Sequence, residues 1–120
     1  FKNVFEYKKA KLAEESEFIN REELMLNIML NIFESYNNLK DAEDMVLLAQ
    51  KKLDVEEKRL NNIREKNKEG MAGTTEFLEA SSRYDSAKSS VLKAGYNLQI
   101  CRAALYNSIG KKITIESEAK

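Results

Sequence analysis

Apolar side chains recur along the first half of this chain in steps of three and four residues, and charged side chains fill the positions between them. Such spacing places the apolar side chains on one face of an α-helix. A narrow apolar seam of this kind is present in residues 1–23. It resumes further along, where its members are Leu39, Ala42, Val46, Ala49, Leu53, Leu60 and Ile63, with Glu56 as the exception. Sustained alternation of three and four is the period of a coiled coil.

Between these two stretches, residues 24–33 are apolar around nearly the whole helix circumference, interrupted only by Asn27 and Asn31. We expect such a segment to have neighbours on several sides. It is flanked by acidic residues and is shorter than the about twenty apolar residues that a membrane-spanning helix needs. The pattern therefore predicts a packed helix at this position and no membrane span.

The second half of the chain carries the more regular seam, in which large and small side chains alternate. Its members are Phe77, Ala80, Tyr84, Ala87, Val91, Ala94, Leu98, Cys101, Leu105 and Ser108. Alternating sizes suit the insertion of knobs from one helix into holes on another. Beside the seam lies a second apolar row, comprising Leu78, Leu92, Gly95, Tyr106 and Ile109. Two adjacent rows on one helix predict two neighbouring helices.

A turn between the two helical halves is predicted at Gly70 and Gly73, the first two glycines of a chain that has no proline. Gly70 suits the left-handed residue that follows a helix. Gly73, Thr74 or Thr75 suits the N-cap of the next helix. Further along, Gly110 suits a glycine that ends a helix, so we expect the residues after it to form a frayed tail or to pair with another chain.

The predicted fold class is therefore all-α, a long antiparallel coiled-coil hairpin with unequal arms. The predicted elements are helix 1 at about residues 3–68, the tip at 69–74, helix 2 at about 75–109 and the C-terminal tail at 111–120. At 1.5 Å per residue the arms are roughly 100 Å and roughly 50 Å long. The upper part of the first arm then needs a partner other than helix 2.

Charge and composition exclude several functions. Lys and Arg number 20 and Asp and Glu number 20, which leaves no net field to hold nucleic acid. The chain has no histidine and one cysteine, Cys101, so a zinc site, an internal disulfide and a histidine-based triad lack their residues. We interpret Cys101 as a small buried apolar side chain, and we expect no enzyme, metal or cofactor. Because the sequence starts at Phe1 without a leader peptide, we expect a mature chain or one cut from a longer protein.

One pattern joins the tip to helix 2: Gly-x-x-x-x-x-Glu-Phe-Leu-Glu-Ala over residues 70–80, then Tyr84, Ala87, Tyr96, Leu105 and Ile109-Gly110. This pattern resembles the last long hairpin of the TolC-type outer-membrane efflux family, over nearly the whole chain. The resemblance implies a fragment of an α-barrel in which a helix descends from an outer-membrane β-barrel, turns at a tip and returns partway. It also implies a homotrimeric duct that catalyses no reaction and exports drugs or proteins.

The same resemblance implies roles for individual residues. The surface that docks a periplasmic adaptor would comprise Gly70, Met71, Ala72, Gly73 and Thr74. Acidic residues at the pore entrance would be Glu76 and Glu79, which threefold assembly would multiply into rings that favour cations. Alternatively, the two acids only complement the positive N-terminus of the helix.

The resemblance further implies where the segment works and with what. The segment would lie in the periplasm of a Gram-negative-type bacterium, with an adaptor and an inner-membrane pump as its partners. Contact with the outer membrane would be made only by β-barrel strands outside this chain. The sequence departs from the family pattern at Asn67, Glu69 and Gly73. The identity of the adaptor and the way the entrance closes therefore stay open. The sequence does not specify the pump or the exported substrate.

Two alternatives also stay open. The periplasmic adaptor's own hairpin resembles this chain less closely, because adaptors favour arms of similar length and residues other than Lys68 and Leu78 near the tip. A plain antiparallel coiled coil that scaffolds other proteins is the second alternative. A self-sufficient hairpin of that kind needs one seam per helix, which the all-round apolar segment 24–33 does not provide.

Overall fold

In the computed structural model, which describes residues 1–119, the chain is all-α. Helix α1 spans Lys2–Lys68 and has 67 residues, and helix α2 spans Thr74–Ala119 and has 46 residues. Residues 69–73 connect them. The predicted fold class, an all-α helical hairpin, is confirmed. The predicted helix bounds at the tip differ from the observed ones by a single residue, since Thr74 belongs to α2 and not to the turn.

The contacts divide the chain into two compact units. The tip unit is Asn37–Ala104, and the terminal unit is Phe1–Tyr36 together with the segment from Leu105 onward. Each unit contains part of α1 and part of α2, so each is a pair of helices with its own interface.

In the tip unit, the interface is formed by the seams read from the sequence. Ala42, Leu60, Ala80 and Ala87 are buried. The other seam members are half-buried, and they are Leu39, Val46, Ala49, Leu53, Ile63, Phe77, Tyr84, Val91, Ala94, Leu98 and Cys101. Cys101 is thus less enclosed than predicted. Within the tip unit the buried and half-buried seam positions recur in steps of three and four on both helices, because each turn presents a side chain to the facing helix.

Small side chains occupy every second layer of this interface. Ile63 and Ala80 are seam members that line the same groove, and the layers can be counted from this pair. Counting one heptad from them places Glu56 opposite Ala87, and further heptads place Ala49 opposite Ala94 and Ala42 opposite Cys101. Alanine on one or both sides of a layer leaves room for close approach of the backbones and, in one layer, for a carboxylate.

In the terminal unit, the hydroxyls of Ser35 and Ser108 lie 3.2 Å apart. Ile28 is buried, and Met25, Ile32 and Leu105 are half-buried. The pairing of Ser35 with Ser108 places the end of α2 next to residues 24 and 25 of α1. In agreement, every residue from 1 to 24 is exposed. The unaccompanied part of α1 is therefore shorter than the sequence predicts.

The predicted end of helix 2 at Ile109 and the separate tail after it are wrong for the described residues. Helix α2 passes through Gly110 and ends at Ala119, while residue 120 lies outside the described part of the chain. The backbone of Gly110 does not have a positive φ, so it makes no left-handed cap. A glycine inside a helix costs only about 1 kcal/mol relative to alanine. Apolar contacts with α1 offset this cost, since Ile109 and Lys112 line one groove with Ile32.

The segment 24–33 contacts one helix and leaves most of its apolar circumference open. Ile28 faces α2, whereas Leu26, Met29, Leu30 and Phe33 are each more than half exposed. The neighbours predicted on several sides are therefore not supplied by the described part of this chain. Neither described helix combines the length and the apolarity required to cross a membrane.

Candidate docking site at the hairpin tip

The end of α1 is closed by two backbone hydrogen bonds around Gly70. The amide of Gly70 donates to the carbonyl of Asn67 at 3.0 Å, and the amide of Met71 donates to the carbonyl of Lys66 at 2.8 Å. Gly70 has a φ of 77°, in the left-handed region that L side chains avoid. This is the Schellman arrangement, and it satisfies two of the carbonyls that a helix end leaves without partners.

The sequence allowed three residues as the N-cap of α2, and the structure shows which of them it is. The carbonyl of Gly73 accepts the first bond of the helix, from the amide of Phe77 at 3.2 Å. Gly73 is therefore the N-cap, and Glu76 lies in the first turn of α2. A carboxylate at that position stabilises the positive end of the helix dipole. Gly73 itself has no side chain with which to cap the free amides.

The residues predicted to dock a partner form a largely exposed surface. Met71 is 76% exposed, and Gly70, Gly73 and Thr74 are exposed as well, while Ala72 is half-buried. The turn is held by its backbone hydrogen bonds, so the Met71 side chain is presented to solvent on an ordered loop. An exposed methionine on such a loop is suited to contact an apolar partner surface.

Next to the turn, a groove of about 570 Å³ runs between the two helices on one face of the tip unit. We call it the tip groove. Its α1 wall consists of Val55, Lys58, Arg59, Asn62, Ile63 and Lys66, and its α2 wall consists of Glu76, Glu79, Ala80 and Arg83. The two predicted acidic residues, Glu76 and Glu79, therefore share one face and line this groove together.

Two ion pairs lie along the tip groove. Arg83 Nη2 donates to Glu79 Oε1 at 3.0 Å, so one of the two predicted acids is already paired within its own helix. Arg59 Nε lies 4.0 Å from Glu56 Oε2. Because both arginines have a carboxylate nearby, the charge balance of the groove depends mainly on the remaining lysines and Glu76.

Glu56 is the polar member of the seam that the sequence had marked as an exception. It is 8% exposed, and its Oε2 atom is buried without a hydrogen bond from the described residues. Burial of a carboxylate oxygen without a donor costs free energy, since water is lost and not replaced. Counting heptads from Ile63 and Ala80 places the small side chain of Ala87 in the same layer as Glu56.

The second apolar row of α2 is exposed within each unit. Leu78 and Leu92 in the tip unit are 61% and 62% exposed, and Tyr106 in the terminal unit is 75% exposed. Ile109 is 38% exposed, and Gly95 is half-buried. The second neighbouring helix that this row predicts is not part of the described chain.

The tip groove is the part of the site that sequence reasoning missed. Its signal is present in the sequence, because Arg59 and Lys66 are one heptad apart on α1 and Glu76 and Arg83 are one heptad apart on α2. Each pair flanks the seam on the same side. A helical-wheel projection of both helices places the basic residues along the α1 wall of the groove and the acidic residues along the α2 wall.

Among residues 1–119, no group of three or more acidic or sulfur-bearing side chains is arranged to hold a metal ion. Comparison with models of protein families, with curated proteins and with solved structures found no match to this chain.

Proposed function

We propose that this chain is the periplasmic hairpin of a TolC-type outer-membrane protein that serves as the exit duct of an efflux or secretion system. In this proposal three copies assemble their helices into an α-barrel, and the tips contact a periplasmic adaptor that is coupled to an inner-membrane pump. The chain carries out no reaction and binds no cofactor.

The observation that supports this proposal most directly is the exposed second apolar row. Leu78, Leu92 and Tyr106 lie outside the α1–α2 interface, in a row beside the α2 seam. A helix pair that worked alone would gain nothing from this row, because exposed apolar side chains promote association. In a barrel of helices each helix contacts a neighbour on either side, and the row becomes an interface.

The amount of exposed surface is consistent with an assembly. The chain exposes 9829 Å² of surface, whereas a compact single-domain protein of the same size exposes about 6,600 Å². Stable interfaces bury about 1,200–2,000 Å² in total. The surplus is therefore large enough to supply interfaces on two sides of the chain.

The tip would provide the adaptor contact. Gly70 and Gly73 add no side-chain bulk to the turn, and Met71 is its large apolar side chain, 76% exposed. Ala72 and Thr74 complete the surface. Glu76 and Glu79, which both line the tip groove, would form the acidic entrance of the duct in the assembled trimer.

Imaging of the full-length protein in detergent tests the proposed architecture. We expect a long trimeric cylinder, because the second apolar rows must be covered by neighbouring copies. A compact monomer would contradict the proposal.

The docking role of the tip is tested in cells with Gly70→Asp. We expect the added charge to abolish export while the helix content measured by circular dichroism stays near normal. Gly70→Asn is the matched control, because asparagine tolerates a positive φ and adds no charge. Unchanged export in Gly70→Asp cells would contradict the docking role.

A further inference from the structure

The part of α1 before residue 25 has no helix beside it in the described chain, and every residue from 1 to 24 is exposed. Phe5, Leu12 and Ile19 in this part are 71%, 65% and 57% exposed. They are seven residues apart, so they form one apolar row that extends over about 21 Å of the helix. We call these three residues the arm row. Large apolar side chains aligned in this way are typical of a helix that pairs with another helix.

The positions that flank the arm row carry charges that change sign along the helix. On a coiled-coil helix these positions lie three or four residues from a member of the row. Their charged residues are basic before Leu12 and acidic after it, and they are Lys2, Lys8, Lys9, Glu15, Glu22 and Glu23. None of these side chains forms an ion pair with another residue of the range 1–119. Each half of the segment therefore presents one sign of charge on both sides of the row.

This order of charges selects, as the occupant of the arm row, a second copy of the same segment that runs in the opposite direction. In a parallel pair with the two copies level, lysines would face lysines and glutamates would face glutamates, and facing like charges repel. In an antiparallel pair, the basic half of each copy lies along the acidic half of the other. The two halves therefore complement each other in the self-complementary contact that a twofold axis gives.

The same charges also select the register of such a pair. With Leu12 on the twofold axis, Phe5 faces Ile19 of the second copy. Lys8 then faces Glu15 of the second copy, and the symmetry forms this pair twice. A shift of one heptad in either direction places Lys8 or Glu15 opposite its own equivalent, where like charges meet. The register centred on Leu12 avoids both contacts.

We propose that the N-terminal part of α1 is a self-pairing segment, in which residues 1–23 of two copies of this chain pack antiparallel with Leu12 at the centre. The arm row forms the apolar centre of the pair. Its ionic edges are formed by Lys8 with Glu15 and by Lys2 with Glu23 of the second copy. The inference goes beyond the proposed function, because copies of α1 in a threefold duct all run in the same direction. The antiparallel pair is thus a separate assembly of the chain.

Disulfide crosslinking between two single-cysteine chains tests the direction and the register of the pair. In a Cys101→Ala background, one chain carries Lys9→Cys and the other carries Ser16→Cys. These positions face each other beside the arm row, so we expect a covalent dimer on mild oxidation of the mixed chains. Each chain alone should crosslink at least about tenfold more slowly, since two copies of one position lie seven residues, about 10.5 Å, apart along the axis.

The matched control moves the cysteines to the opposite face of the helix. Ala10→Cys and Glu17→Cys have the same spacing at exposed positions, but these positions point away from the arm row. The mixture of these two chains should crosslink no faster than either chain alone. Circular dichroism verifies that the helix content of every variant equals that of the parent chain.

A charge swap tests the ionic edges. Lys8→Glu in both cysteine chains should slow crosslinking of the mixture at least about fivefold, because it places a carboxylate opposite Glu15. Adding Glu15→Lys should restore the rate, since the ion pair is then present with its signs inverted. Glu17→Lys is the matched control for a change of charge on the opposite face, and it should leave the rate unchanged.

Several results would overturn the proposal. If a Lys9→Cys or Ser16→Cys chain crosslinks as fast alone as in the mixture, the pair is parallel or is shifted by a heptad. If the opposite face crosslinks equally fast, or if Lys8→Glu leaves the rate unchanged, the contact is not specific. If no chains crosslink, the arm row contacts a different partner. None of these results affects the imaging test of the duct, because that test measures the arrangement of copies in the full-length protein.

Discussion

The side-chain oxygens of Ser35 and Ser108 lie 3.2 Å apart across the interface between α1 and α2 in the terminal unit. The two residues are 73 positions apart in the sequence, so the contact defines which turn of α1 lies against which turn of α2. At this layer of the interface two small hydroxyl groups take the place of apolar side chains, and each provides the other with a hydrogen-bond partner. The register of the terminal unit therefore depends on a polar pair between larger neighbours, Ile32 and Leu105.

A crosslink tests this register. Ser35→Cys combined with Ser108→Cys, in a Cys101→Ala background, should form a disulfide on mild oxidation, because the Oγ atoms that the sulfurs replace are already in contact. Closing a loop of this length stabilises the folded state by up to about 4 kcal/mol. Electrophoresis without reductant and thermal unfolding measure the two effects.

The control for the crosslink moves one cysteine out of the interface. Ser35→Cys with Asn107→Cys should remain reduced under the same conditions, because Asn107 is exposed and points away from the seam. Equal crosslinking in both variants would show that the helices slide past one another and that the register is not unique.

The buried carboxylate of Glu56 makes the tip unit less stable than it would be with an apolar side chain at this seam position. Glu56→Leu should raise the free energy of unfolding by about 1–3 kcal/mol, because the variant removes a buried oxygen without a hydrogen bond. Urea denaturation followed by circular dichroism measures this change. Glu57→Leu, at an exposed neighbouring position, should change stability by less than about 0.5 kcal/mol. A destabilised Glu56→Leu protein would mean that the pairing with Arg59 outweighs the cost of burial.

The conformation of Gly70 predicts an ordered series of substitutions. Gly70→Ala should destabilise the hairpin by about 1–2 kcal/mol, since an L side chain at a φ of 77° is strained. Gly70→Asn should cost less, because asparagine adopts this region more readily. Space is not the cause, because a Cβ built on Gly70 meets no atom within 4 Å. Equal losses for both variants in thermal unfolding would exclude backbone strain as the explanation.

Gly110 should behave in the opposite way. Gly110→Ala is expected to stabilise the terminal unit by about 0.5–1 kcal/mol, because the position is helical and a Cβ there meets no atom within 4 Å. Hydrogen exchange of the amides after Gly110 would slow in the variant if α2 continues through this residue. Loss of stability would indicate that Gly110 ends the helix, as the sequence alone predicts.

Much of the fold was predictable because its information is local and periodic. The seam of Leu39 to Ile63 and the seam of Phe77 to Ser108 repeat with the coiled-coil period, so each helix and its buried face follow from counting. The left-handed turn at Gly70, just after α1, was predictable because few residues other than glycine adopt a positive φ. Gly110 looked like the same signal, yet its conformation depends on contacts of the following residues with α1.

The sequence by itself determined that the chain forms two amphipathic helices with a turn at Gly70, since helical periodicity and glycine conformation act between residues near one another. Only the tertiary structure decided the register, the extent of α2 and the tip groove. These features depend on which turn of one helix meets which turn of the other. That choice is made by contacts such as Ser35 with Ser108, whose members are far apart in the chain.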